Sequence, residues 1–132
     1  MQELPDGARS ILDGVNFAHI ATVQEDGSPQ VTPVWIDRDG DVVVFNTAKG
    51  RAKHRNLLRD PRIAISVHDQ DNPYVYVQVQ GTVEIVDDPD MVDINRISNK
   101  YIGTDYPFAQ PDEQRVTVRL APQAVDYHPP RD

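Results

Sequence analysis

The chain has 132 residues, carries 21 acidic against 13 basic side chains for a net charge of −8 at pH 7, and contains no cysteine. That length fits a single domain, residues 1–132, with one core; the acidic balance argues against nucleic-acid and anionic-membrane binding, which need an excess of cations; and without cysteine neither a disulfide nor a thiolate metal site can form. No apolar run nears the ~18 residues of a membrane span, and the opening MQELPDGARS lacks the basic start and apolar stretch of a secretory signal, so a cytoplasmic location is expected.

Residues 6–14 (DGARSILDG) read as a short helix, capped by Asp6 and stopped by Gly14. From Phe17 the period changes to two: Phe17, His19, Ala21 and Val23 alternate with Ala18, Ile20 and Thr22, a strand pattern. Asp26-Gly27 supplies the positive φ of a hairpin turn into a second strand, Gln30–Asp37, and Asp39-Gly40 turns that into a third, Asp41–Asn46. Two such turns in succession predict a three-stranded antiparallel meander. Lys49–Arg59 becomes helical, with Gly50 near its start and Pro61 beyond its end. Strand character returns at Arg62–His68, and after a polar loop the longest strand runs from Tyr74 to Val86. On it Val75, Val77, Val79, Val83 and Ile85 share one face, while Tyr74, Tyr76, Gln78 and Gln80 share the other; Gly81 marks a bend or bulge. Asp88–Lys100 reads as a helix, Arg115–Leu120 as a last strand and residues 122–132 as a tail. Some six strands with two or three short helices close best as a barrel, which also removes exposed edges.

Chemistry is most legible after the third strand. Lys49, Arg51, Lys53, Arg55, Arg59 and Arg62 are six of the 13 basic residues, gathered within fourteen positions against Asp60 alone. A helix N-terminus carries unpaired N–H groups and partial positive charge, so it attracts phosphate and repels cations. Lys49, Arg51 and Lys53 sit in or before the opening turns, where each is unfavourable unless an anion is bound. Arginine adds bidentate geometry and lysine a point charge, and Thr47 and Asn56 can add neutral hydrogen bonds. The bland alternative is a solvated cationic face paired with acids elsewhere. The segment is not a P-loop, because the GxxxxGK[ST] spacing is absent. No HExxH spacing and no GxSxG frame occurs, so neither a metal site nor a serine nucleophile is expected. A single histidine on a helix, such as His54, is more often packing than acid catalysis, and His19 alternates with the apolar positions of its strand.

Three stretches together carry a family resemblance: Ala21-Thr22 with Asp26 through Trp35, then Thr47 through Arg62, then Asp71 through Glu84. They resemble the flavin and deazaflavin oxidoreductases of the split β-barrel type, relatives of pyridoxamine-phosphate oxidase, and more narrowly the branch that uses coenzyme F420. The resemblance implies a mainly β fold, a six- to seven-stranded antiparallel split barrel, in a homodimer whose interface holds the cofactor. It places the cofactor's phosphate and acidic tail at Arg51, Lys53 and Asn56, with Asn46, Thr47, Ala48 and Lys49 nearby. The ring system would lie along Thr32, Pro33, Val34 and Trp35, and Tyr76 and Gln78 are candidates for closing the pocket from the partner subunit. The implied reaction is hydride transfer between reduced deazaflavin and a small electron-poor organic acceptor, with no obligatory catalytic side chain. The alternatives are an FMN-binding enzyme of pyridoxamine-phosphate oxidase type and a non-catalytic cofactor carrier.

Overall fold

In the computed structural model, which describes residues 1–131, the elements follow as α1 (Asp6–Asp13), β1 (Phe17–Val23), β2 (Pro29–Trp35), β3 (Asp37–Asp39), β4 (Val42–Ala48), α2 (Ala52–Arg59), β5 (Arg62–Asp69), β6 (Asn72–Asp87), α3 (Val92–Ile102) and β7 (Arg115–His128). The seven strands form one antiparallel sheet in the order β2-β1-β5-β6-β7-β4-β3. This is the expected mainly β architecture, an open sheet curled as a split barrel. Among the described residues no helix is long and apolar enough to cross a membrane.

Both Asp-Gly turns are present, with Gly27 at φ 87° and Gly40 at φ 59°. They close the β1–β2 and β3–β4 hairpins, in which Ala18 faces Val34 and Arg38 faces Val43. The expected three-stranded meander does not form. β2 lies at one edge of the sheet and β3 at the other, although only Ile36 separates them in the chain. The physical reason is local. The Ile36 side chain is fully buried, and its backbone is satisfied by α3 instead of by a neighbouring strand. Its N–H donates to the Tyr101 hydroxyl (2.9 Å), and its carbonyl accepts from Lys100 Nζ (2.7 Å). Lys100 also donates to the Leu12 carbonyl at the end of α1 (2.6 Å), and Tyr101 donates to the Asn16 carbonyl. Side chains thus supply what a ladder would otherwise provide, and the sheet can part at this point.

The core lies inside the curl, where Ile20, Phe45, Ile65, Val67, Val77 and Leu120 are all buried. β6 alternates as expected, with Val75, Val77 and Val79 inward. Its register with β7 shifts between Gln80 and Gly81, and a Cβ on Gly81 would stand 2.3 Å from the Ala121 carbonyl oxygen. Residues 122–128, expected to form a tail, instead extend β7: Val125 pairs with Val79 and Tyr127 with Val77. Pro122 faces Gly81 at the shifted register, where its missing N–H does not interrupt the ladder. The helix starts differ from their sequence signals: α1 begins one residue earlier, with Asp6 inside the helix, while α2 and α3 begin later than Lys49 and Asp88. Pro5 precedes α1, Arg51 is the N-cap of α2, and α3 starts at Val92. Asp88 nevertheless caps α3, accepting from the Asp93 (3.2 Å) and Ile94 (3.0 Å) amides.

Tyr101 is the keystone of the parting. Burial first, with Asp37 assisting, pushes its phenol up to about 12 from an ordinary 10.0. A raised pKa favours the neutral phenol in the fold, so this stability is complete below about pH 10 and is lost as pH climbs through 12. Tyr101→Phe should lower stability at pH 7 by about 1–3 kcal/mol, the cost of leaving the Ile36 amide and Asn16 carbonyl without partners. Urea titrations should also show a shallower loss between pH 10 and 12 than in the parent; an unaltered alkaline limb would contradict the assignment.

Candidate functional site

The parting of the sheet leaves a pocket of about 270 Å³ between its two edges. β2 contributes Pro33, Val34 and Trp35; β4 contributes Asn46 and Thr47; the start of α2 contributes Arg51 and Lys53. Ile94 and Ile97 of α3 form a wall, and Phe17, Tyr106, Phe108 and Arg115 complete the lining. The pocket therefore draws on β1, β2, β4, α2, α3, β7 and the connection between α3 and β7.

One end is aromatic. Trp35 stacks on Tyr101 (centroids 5.1 Å apart, planes 13° apart) and meets the edge of Tyr106 at 6.2 Å. Tyr106 in turn meets Phe108 edge to face at 5.6 Å. Phe17 and Phe108 remain 55% and 60% exposed, which leaves apolar ring surface at the pocket mouth.

The other end is cationic. β4 stops at Ala48, and Gly50 turns the chain at φ 88° into α2, whose first turn contains no acid. Arg51 donates to Glu113 Oε1 (3.1 Å). Arg115 is buried; its Nε donates to Asn46 Oδ1 (2.9 Å), its guanidinium lies 4.8 Å from the Tyr106 ring centroid, and its Nη1 is 3.3 Å from Glu113 Oε2. Asn46 donates onward to Asp88 Oδ2 (3.1 Å), so the carboxylate that caps α3 also orients the amide holding Arg115. Lys53 has no ion pair among the described residues. Burial, then the charges of Arg51 and Arg115, hold its ammonium below the usual lysine range. Beside these cations the Thr47 hydroxyl oxygen is buried and makes no hydrogen bond to protein. A cation without a counter-ion and a buried hydroxyl without a partner, on adjoining elements, fit an anion that accepts from both.

Seven of the residues singled out in the sequence meet here: Pro33, Val34, Trp35, Asn46, Thr47, Arg51 and Lys53. The others lie elsewhere. Thr32, on β2 opposite Ile20, does not line the pocket although Val34, two residues on, does. Ala48 is buried at the end of β4 opposite Arg115, and Lys49 pairs with Asp87 (3.1 Å) beside a neighbouring cleft. Asn56 is buried, and its amide donates to Thr22 (3.0 Å) and Gln30 (3.2 Å), binding α2 to the β1–β2 hairpin. Tyr76 stacks on His128 with centroids 4.2 Å apart, and Gln78 lies beside Asp126 on the far half of β6. The remaining cations of the cluster are occupied within the protein. Arg55 donates to the Gly50 carbonyl and Arg59 to the Val23 carbonyl, and Arg62 binds Asp60, holding that carboxyl down at about 2. His54 accepts from the Gly50 amide (3.1 Å), a packing role. Sequence reasoning did not single out Phe17, Ile94, Ile97, Phe108 or Arg115 as site residues. For Arg115 a signal existed: a basic residue opening the last strand two positions after Glu113.

Over residues 4–129 the chain matches the family described as pyridoxamine 5'-phosphate oxidase. A solved F420 reductase is 37% identical, the match covering 93% of this chain and 98% of that one at a TM-score of 0.84. A conserved hypothetical protein from Mycobacterium tuberculosis shares the fold at 22% identity and a TM-score of 0.72, covering 95% of this chain and 88% of that one. A pyridoxamine 5'-phosphate oxidase-related, FMN-binding protein from Nostoc punctiforme shares it at 16% identity and a TM-score of 0.62, covering 85% and 73%.

The strain on Lys53 can be measured directly. Lys53→Met should raise the unfolding free energy in low-salt, phosphate-free buffer by about 0.5–1 kcal/mol, the scale on which functional strain is relieved. Inorganic phosphate should then stabilise the parent more than the variant. A variant that melts below the parent would mean the ammonium already has a partner within the protein.

Proposed function

The chain belongs to the pyridoxamine 5'-phosphate oxidase family, and from that premise we propose that it is an oxidoreductase that holds the deazaflavin F420 in the pocket between β2 and β4. The observation that carries this reading is the pairing of Lys53, half-buried and without a carboxylate, with the unpartnered Thr47 hydroxyl. An elongated ligand with a planar ring at one end and phosphate at the other matches the two ends of the pocket. The 37% identity to an F420 reductase favours the deazaflavin. FMN is the second reading, because its ring and phosphate address the same two ends.

In this reading Arg51, Lys53 and Arg115 hold the phosphate, with Thr47 donating its hydroxyl hydrogen to a phosphate oxygen. Asn46 and Asp88 fix Arg115, so that guanidinium is preorganised before any ligand arrives. The backbone of Pro33, Val34 and Trp35 borders the ring, leaving a side for a small electron-poor acceptor. Tyr106, Phe108 and Phe17 wall the reacting face and exclude water, which strengthens local electrostatics. When bound, the cofactor supplies the hydride chemistry itself. No side chain is assigned as an obligatory proton donor.

A homodimer is part of the proposal. On the outer face of the sheet, β6 presents Tyr76, Gln78 and Gln80 and β7 presents Ala124 and Asp126, a mixed surface of interface character. A second copy seated there would carry these residues toward a neighbouring groove.

Three measurements test the reading. Side-by-side fluorescence titrations should show F420 binding more tightly than FMN, and the Arg51→Ala/Lys53→Ala double variant should lose at least about tenfold in affinity, or about 1.4 kcal/mol; unchanged affinity removes the phosphate assignment. Reduced F420 mixed with a quinone-type acceptor should be oxidised catalytically, whereas a single stoichiometric event or none would leave a carrier. Light scattering should report about twice the 14.9 kDa chain mass, and a monomer would end the shared-groove picture.

A further inference from the structure

Glu113 stands behind the cationic end of the pocket and has no place in the reading above. Its carboxylate is almost wholly enclosed, with the side chain 8% exposed, and it pairs with Arg51 at 3.1 Å and Arg115 at 3.3 Å. The Arg115 contact is close yet misaligned: neither Glu113 Oε2 nor Arg115 Nη1 makes a hydrogen bond. With the Thr47 hydroxyl, these are the three buried side-chain atoms among the described residues that lack a partner, and all belong to this corner of the fold. Thr47 pairs across the ladder with Val116, next to Arg115.

Glu113 is not a mobile plug. Its own amide donates to the Gln110 carbonyl (3.1 Å), and the next residue, Gln114, accepts from the Lys49 amide (2.8 Å). Arg115 borders both the pocket and the cleft of about 330 Å³ that Glu113 lines, and Glu113 itself is not part of the pocket's lining. It cannot touch a ligand in the pocket directly. It can act only through charge and through the orientation of Arg51, whose remaining nitrogens stay available to a ligand.

We infer that Glu113 is a specificity-determining residue: a resident carboxylate that subtracts one charge from the Arg51, Lys53 and Arg115 cluster and so biases the site toward a phosphodiester over a phosphate monoester. The inference rests on the pocket being the cofactor's phosphate site. A fixed negative charge repels a ligand in proportion to the charge placed near it. The monoester of FMN brings close to two charges at pH 7 and the diester of F420 brings one, with the other carboxylates of F420 further away and more screened. Glu113 therefore penalises FMN more.

The test compares the affinities of the parent, Glu113→Gln and Glu113→Asp for F420 and FMN at fixed low salt, with thermal melts to show that each variant is folded. Glu113→Gln keeps the side-chain size and removes the charge. It should tighten FMN more than F420, moving the ratio of affinities about tenfold toward FMN. Glu113→Asp keeps the charge and should retain the parent ratio even if both affinities change. If Glu113→Gln weakens both ligands in parallel, Glu113 only positions Arg51 and the inference is overturned. It is equally overturned if Glu113→Asp shifts the ratio as Glu113→Gln does, or if neither the parent nor Glu113→Gln binds FMN while both bind F420. A parent whose affinity survives loss of Arg51 and Lys53 would instead remove the phosphate site, and this inference with it.

Discussion

The backbone of one residue, Ile36, organises this protein. A chain leaving β2 would ordinarily continue its ladder into the next strand, because buried N–H and C=O groups need partners. Tyr101 and Lys100 supply those partners from α3, at 2.9 and 2.7 Å. The chain can then cross from one edge of the sheet to the other without leaving an amide unsatisfied. The substitution is demanding, since an ammonium and a phenol must both be enclosed. Burial draws the Lys100 ammonium below its ordinary range and drives the Tyr101 phenol above its own. The same aromatic ring then stacks on Trp35, so the device that parts the sheet also builds one wall of the pocket.

Charge governs the opposite wall. Of the cations gathered between Lys49 and Arg62, most are occupied within the protein: Lys49 by Asp87, Arg62 by Asp60, Arg55 and Arg59 by backbone carbonyls. The bland reading of a solvated, self-neutralised face holds for those four. Arg51 and Lys53 differ, because the turn at Gly50 aims the start of α2 into the parting, where Arg115 approaches from β7. Three cations then share one small region in which, among the described residues, Glu113 is the one carboxylate paired with any of them, in a protein whose overall charge is −8. A folded chain tolerates such local repulsion at a site of function more readily than elsewhere.

Local features of the fold were legible in the sequence, and distant ones were not. Asp26-Gly27 and Asp39-Gly40 announce their hairpins because positive φ is a property of the turn itself. Gly81 marks the register shift for a similar reason, with the Ala121 carbonyl too near for any Cβ. The failure of β2 and β3 to pair depends on residues 100 and 101, more than sixty positions away, and no periodicity near Ile36 discloses it. Residues 122–128 looked like a tail because Pro122 interrupts the apolar pattern, yet Gly81 faces it across the ladder and accommodates the break. The site divides along the same line. Arg51 and Lys53 were visible as cations set against a helix N-terminus. Asn56 has the same polar character, but the pitch of α2 turns it toward Thr22 and Gln30. Phe17, Tyr106, Phe108 and Arg115 come from separate segments, and only the tertiary fold brings them to one pocket.

The account rests on an anion settling among Arg51, Lys53 and Arg115 with its ring against Trp35. A crystal soaked with F420 tests this most directly. Density should place the phosphate within hydrogen-bond reach of Lys53 Nζ and the Thr47 hydroxyl, with the deazaflavin ring along Pro33 to Trp35. A phosphate bound elsewhere, with Lys53 still unpaired and extended into solvent, would contradict it.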